Sequence, residues 1–225
     1  MLFRSHRRVF GFLSLIGGWD TISGDFFLSA SCIAKRLNIL WNRPESMAKK
    51  AAVIYWSKSG NTEKVAHSIK EGLDEAGLEV SLLKADEAGD IDYFDYDLVC
   101  LGFPSYSWHP PKPVDDLLKK NLRKHRGEGK IKPSSPRVPG KFALIFCTYS
   151  GPHTGLDEAT PAGDYAGQFF DHIGFTVLDK WYVLSEFHGW EEGNVEGRMG
   201  DIRGLPSKDD LMKIRREAEK IAKKI

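Results

Sequence analysis

The sequence predicts a doubly wound α/β fold, a five-stranded parallel sheet with helices on both faces. Three observations predict it. Short apolar runs alternate five times with helical patterns between about residue 50 and the C-terminus, the signature of a parallel sheet with crossover helices. The best of these runs are continuously apolar rather than alternating, as strands covered on both faces require. No internal repeat or second compositional block interrupts the series.

The elements follow in order. "AAVIYW" (51–56) is the first buried strand. After a hydroxyl-rich loop, Val65, Ala66, Ile69 and Leu73 recur at three- and four-residue spacing, an amphipathic helix that closes at Gly77. "LEVSLLKA" (78–85) and "YDLVCLGFP" (96–104) are the second and third strands. "PVDDLLKKNL" (113–122) is a helix with acids early and lysines late, in accord with the helix dipole. A basic, proline-bearing linker is expected over 123–140, then the fourth strand, "KFALIFCTYS" (141–150). A helix from about Gly163 to Ile173 stops at Gly174, and "FTVLDKWYVL" (175–184) is the fifth strand. A long excursion (185–206) precedes a final helix over 207–225, with Ser207 as its N-cap.

The totals narrow the function classes. The chain has 225 residues, 41% hydrophobic and 28% charged, with a net charge of +1. That balance does not mark a nucleic-acid binder, and no apolar run approaches the eighteen or so residues that span a bilayer. Cys32, Cys100 and Cys147 have no CxxC or paired spacing, which argues against a disulfide framework or a zinc site and fits a reducing, cytoplasmic setting. Cys100 and Cys147 fall inside strands and read as inert buried thiols. Residues 1–46 carry a net charge of +3, against −2 for the remainder. The arginine-rich start, followed by a glycine-broken apolar stretch, has some character of a targeting segment. The expectation favoured here is that translation starts at Met47, that residues 1–46 lie outside the fold, and that 47–225 form one domain.

Three loops carry the chemistry, each following a strand that would be central, where ligands bind in an open parallel sheet. The first is "SKSGNT" (57–62), hydroxyl-rich and at a helix start, where backbone N–H groups favour an anion. It lacks the Gly-x4-Gly-Lys-Ser/Thr and G-x-G-x-x-G patterns, which points away from nucleoside triphosphates and dinucleotides towards a monophosphate. Taken alone it is also an ordinary Ser/Asn turn. The second loop, "GFPSYSWHPP" (102–111), puts Tyr106, Trp108 and His109 on the rim, as a stacked flat ring would need. The third, "CTYSGPHTG" (147–155), has Tyr149, His153 and glycines that permit close backbone approach. His109, His153 and His188 come from three separate loops without metal-ligand spacing, so a contact with a bound ligand or substrate is the better reading for at least one of them. The nine Lys/Arg of 119–141 read as a solvated surface able to dock an acidic partner.

Together these loops resemble those of the flavodoxin family. "SKSGNT" is similar to that family's Thr/Ser-x-Thr/Ser-Gly-x-Thr phosphate loop, "GFPSYSW" to its second flavin-flanking loop and "TYSG" to its third. The resemblance covers roughly residues 50–225 and implies the flavodoxin-like strand order 2-1-3-4-5. It also implies FMN as cofactor, its phosphate held by Ser57, Lys58, Ser59, Gly60, Asn61 and Thr62. Pro104, Ser105, Tyr106, Ser107 and Trp108 would then run along the ring, and Thr148, Tyr149, Ser150, Gly151 and His153 would meet its polar edge. Two departures stand out: the family's carriers are strongly acidic and this chain is not, and the 185–206 excursion adds His188, Trp190, Arg198 and Arg203.

Two functions follow from the resemblance. One is an electron carrier exchanging electrons with redox partner proteins. The other is an NAD(P)H-dependent FMN oxidoreductase of quinone-type acceptors, its substrate pocket under the excursion and its two arginines suited to an anionic substrate or nicotinamide phosphate. A flavin-free scaffold is the third alternative. Neither nucleic acid nor membrane is expected as a partner.

Overall fold

The computed structural model describes residues 48–225, so the expectations for residues 1–46 and for Met47 lie outside the described part. Five strands, β1 (Lys50–Tyr55), β2 (Glu79–Lys84), β3 (Leu98–Pro104), β4 (Phe142–Tyr149) and β5 (Thr176–Leu184), form one parallel sheet in the order β2-β1-β3-β4-β5. The helices are α1 (Asn61–Glu75), α2 (Lys112–Gly127), α3 (Thr160–His172), the short α4 (Glu191–Val195) and α5 (Lys208–Ala222).

Strand alternation divides the core in two. Ala52, Ile54, Val99, Leu101, Phe103, Ile145 and Cys147 face α2 and α3 on one side of the sheet. Ala51, Val53, Tyr55, Leu98, Cys100, Leu144 and Phe146 face α1 and α5 on the other. Both faces are covered, which is why the central strands read as unbroken apolar runs. Cys100 and Cys147 lie on neighbouring strands but opposite faces, both fully buried. Burial pushes the Cys147 thiol up to about 12 and raises Cys100 as well, so neither offers a thiolate near neutral pH.

Helix stops and starts follow local chemistry. Gly77 and Gly174 adopt the left-handed conformation that ends a helix. Ser207 and Asp210 form a reciprocal capping box on α5. Gly72 of α1 lies so close to α5 that an added Cβ would stand 2.2 Å from the Arg215 carbonyl oxygen.

The largest difference from expectation is at a helix end. The helix read as ending at Leu122 runs to Gly127, taking five residues from the expected linker. Its buried positions are Val114, Leu117, Leu118, Asn121 and His125, a regular stripe whose last two members are polar and so hid the continuation. Fully buried His125 packs edge-on against Phe94, with Asp92, Glu128 and Lys130 around it. The basic charges of this region are largely paired: Lys119, Lys120, Lys124, Lys130, Arg137 and Lys141 each meet a carboxylate. Among the described residues, no helix is long and apolar enough to cross a membrane.

Two predictions follow. Gly72→Ala gains about 1 kcal/mol of helix propensity but drives a methyl into a backbone carbonyl, where overpacking costs about 1–3 kcal/mol or more. The clash outweighs the gain, and urea denaturation should show a net loss of about 2 kcal/mol. Burial, only partly offset by Asp92 and Glu128, holds the His125 imidazole below its ordinary value. Between that lowered value and about 6.5 the unfolded chain binds more protons, so this contribution to stability falls as pH drops below about 7. Asp92 and Glu128 are held below the usual carboxylate range and titrate at lower pH. The fall in urea midpoint between about pH 7 and 5.5 should therefore be shallower in His125→Gln.

Candidate functional site

The carboxyl ends of β1, β3 and β4 open into a cleft of about 690 Å³, within the size range of small-molecule and cofactor sites. Its wall comes from the three loops read in the sequence and from the start of the excursion. Ser57, Lys58, Ser59, Asn61, Thr62, Pro104, Ser105, Tyr106, Ser107, Trp108, Thr148, Tyr149, Ser150, Gly151 and His153 all line it. Gly60 does not. It forms the turn behind them with φ 94°, and its surroundings are open, so the glycine is needed for backbone conformation alone.

The first loop ends in a helix start without a side-chain cap. The Gly60 N–H donates to Ser57 Oγ (3.1 Å), and the Lys64 N–H donates to the Gly60 carbonyl (2.9 Å). The backbone N–H groups of Ser59, Asn61, Thr62 and Glu63 have no hydrogen-bond acceptor among the described residues. A helix N-terminus with open amides and nearby hydroxyls is an anion cradle. The Thr62 and Thr148 hydroxyls meet at 2.7 Å in a buried contact that joins the first loop to the third.

The second loop is a two-residue hairpin. Tyr106 and His109 exchange both backbone hydrogen bonds (3.0 Å each), while Ser107 (φ 49°) and Trp108 (φ 64°) are both left-handed. That is the geometry of a type I′ turn. Non-glycine residues hold it at a cost of about 1–3 kcal/mol each. The turn leaves Trp108 60% exposed at the cleft mouth. Trp56 braces Tyr106 edge-on, with ring centroids 5.8 Å apart. His109 leaves the wall and packs on Tyr165 (4.5 Å), whose hydroxyl donates to Asp115 (2.6 Å). Burial raises the Tyr106 and Tyr149 hydroxyls above the ordinary tyrosine value, so both remain protonated donors at neutral pH.

The third loop turns at Gly151 (φ 58°), where a Cβ would stand 2.6 Å from the Gly155 carbonyl oxygen. Glu158 fixes the loop by accepting from the His153 and Thr154 N–H groups, each at 2.7 Å. The excursion is tied to both neighbouring loops. Asn61 Nδ2 donates to the Glu186 carbonyl (2.9 Å), and the Arg198 N–H donates to the Pro152 carbonyl (2.8 Å). Buried Asn194 accepts from the Phe187 N–H (2.8 Å) and donates to the Phe187 carbonyl (2.9 Å). This sets Ser185, Glu186, Phe187, His188 and Trp190 into the wall. The two arginines expected to receive an anion are not in it. Arg203 is committed to Asp201 and Glu191.

A family model for flavodoxin matches residues 53–130. A flavodoxin from Clostridium beijerinckii is 27% identical over 97 residues, 43% of this chain and 62% of that protein. The chain is similar to flavodoxins over part of its length. A probable flavodoxin 2 from Bacillus subtilis is 39% identical over 70 residues, 31% of this chain and 45% of its own length. Each of these flavodoxin matches spans less than two thirds of the relative's length. The crystal structure of oxidised Flavodoxin 1 from Bacillus cereus shares the fold, with a TM-score of 0.55 at 18% identity over 78% of this chain and 99% of that one.

FMN is the cofactor that the sequence resemblance to flavodoxins implies. The donor set fits it: open amides and neutral hydroxyls at one end, exposed aromatic faces at the mouth, and polar backbone beside Tyr149. The wall residues Ser185 to Trp190, together with Glu158 and the pinning Asn194, went unidentified in the sequence as parts of the site, apart from His188 and Trp190. The one available signal was the length of the excursion.

Removing the Asn194 amide strips both hydrogen bonds from Phe187. In Asn194→Ala, tryptic cleavage after Arg198 and Arg203 should rise about tenfold, with a smaller change in the global urea midpoint.

Proposed function

We propose that the chain is an FMN-binding electron-transfer protein. The observation that carries this reading is the uncapped start of α1, whose open amides meet the Ser57 and Ser59 hydroxyls on the wall of the cleft. Ser57, Lys58, Ser59, Gly60, Asn61 and Thr62 would hold the phosphate. Lys58 is exposed on the rim, so backbone dipoles rather than a buried cation would neutralise most of the anion.

Pro104, Ser105, Tyr106, Ser107 and Trp108 would lie along the ring. Thr148, Tyr149, Ser150, Gly151 and His153 would meet its polar edge with neutral donors and acceptors. When bound, FMN supplies one- and two-electron chemistry, so no side chain needs to act as a nucleophile. The chain's own part is to seat the phosphate, orient the ring and limit its contact with water. The Thr62–Thr148 hydroxyl contact keeps the phosphate loop and the third loop in register for that task.

A second reading is an NAD(P)H-dependent reductase of quinone-type acceptors. It is favoured by the excursion, which adds Phe187, His188 and Trp190 to the wall. Steady-state NAD(P)H oxidation driven by a quinone would separate this enzyme from a carrier, which would show no such turnover.

The phosphate assignment is tested by titrating FMN into the full chain and following flavin fluorescence. Ser59 is exposed, so Ser59→Asp should fold normally while setting a carboxylate beside the phosphate. FMN affinity should fall about a hundredfold, and affinity for riboflavin, which lacks the phosphate, should change little. Equal losses for both flavins would remove the phosphate from this loop.

A further inference from the structure

The aromatic wall of the excursion is separate from the residues assigned to FMN above, except at His153. Trp190 lies 5.7 Å from His153 and 6.0 Å from Phe187, ring centroid to centroid, and all three line the cleft. Phe187 is 45% exposed, whereas Trp190 is half-buried. The wall is fixed in advance: Asn194, 2% exposed, holds the Phe187 backbone from both sides, and the Asn194 N–H itself bonds to the Trp190 carbonyl. A preformed aromatic surface loses little entropy on binding.

We propose that Phe187, Trp190 and His153 form a second ring-binding subsite, which takes a flat, uncharged conjugated molecule of the quinone class. This rests on the FMN reading for its function, since a ligand there would share the cleft with the flavin.

The charge on the wall selects the class. Apart from Tyr106 and Tyr149, which stay protonated, its ionisable side chains are Lys58, His153, Glu158, Glu186 and His188. Lys58 belongs to the phosphate loop. The two carboxylates are already engaged, Glu158 with the His153 and Thr154 amides and Glu186 with the Gly204 N–H (2.7 Å). Neither Arg198 nor Arg203 lines the cleft. An anionic ring would meet carboxylates with no fixed cation beside the aromatic wall, a like-charge cost that an uncharged ring avoids. Among the described residues the exposed large apolar side chains are Tyr106, Trp108, Leu156, Phe187, Val195 and Met212. Three of them, Tyr106, Trp108 and Phe187, line the cleft. Apolar surface gathered around a concave site marks a small-molecule mouth.

The test uses the full chain saturated with FMN, with 1,4-naphthoquinone and its 2-sulfonate as probes in equilibrium dialysis. The neutral quinone should bind, and the sulfonate at least tenfold more weakly. Trp190→Ala should weaken naphthoquinone binding about tenfold, with Trp190→Phe restoring most of it. FMN affinity should stay unchanged in both variants. Should Trp190→Ala fail to fold, Phe187→Ala carries the same expectation, because that side chain is half-exposed and Asn194 grips only its backbone. Absent binding, unchanged binding in these variants, or equal affinity for the sulfonate would each overturn the subsite. A chain that takes up no FMN overturns the functional reading before quinone is added. The same probes on that flavin-free chain then decide the subsite by the same results.

Discussion

A parallel sheet covered on both faces sends every strand's carboxyl end to one edge, and the rest of this molecule is arranged around that constraint. The backbone ladder continues for one residue past several strands: Trp56 bonds to Gly102, Ser105 to Thr148, Ser185 to Tyr149 and Ala85 to Tyr55. Beyond those bonds the chains diverge towards different helices, and their remaining donors have no neighbouring strand to meet. The cleft is therefore a consequence of topology. β1 and β3 are paired in the middle of the sheet while their helices leave to opposite faces, so a gap opens between the loops that follow them.

The loops then hold one another. The first and third loops meet through the Thr62–Thr148 hydroxyl pair, and Ser105 of the second donates to the Glu158 carbonyl at 2.5 Å. The excursion closes the remaining side through Asn61 and Pro152. Each of these contacts joins residues far apart in the chain, and none of them is an ion pair. The strained Ser107–Trp108 turn is part of the same arrangement, since it is gripped by Trp56 through Tyr106 on one side and by Tyr165 through His109 on the other.

Local pattern carried the architecture. The apolar runs gave the strands to within one or two residues because burial on both faces leaves no room for polar alternation. Gly77, Gly174 and Ser207 marked helix ends because their roles depend on local backbone geometry. The pattern failed at the end of α2. Asn121 and His125 occupy core positions but are polar, and their burial depends on partners elsewhere, including Asp92 some thirty residues earlier. The third helix likewise begins at Thr160, three residues before the expected Gly163, because Pro161 sits in its first turn where a missing N–H costs nothing.

By itself the sequence determined the fold class, the strand positions and the hydroxyl-rich, glycine-bearing loop before α1, all written in contiguous residues. Tertiary structure alone decided that the excursion folds back as a wall of the cleft, that Asn194 is its pin, and that Arg203 faces Asp201 and Glu191 instead of a ligand. Those outcomes rest on hydrogen bonds and ion pairs formed after the chain has folded back on itself, and no spacing or composition within a single segment encodes which partner a long polar side chain will find.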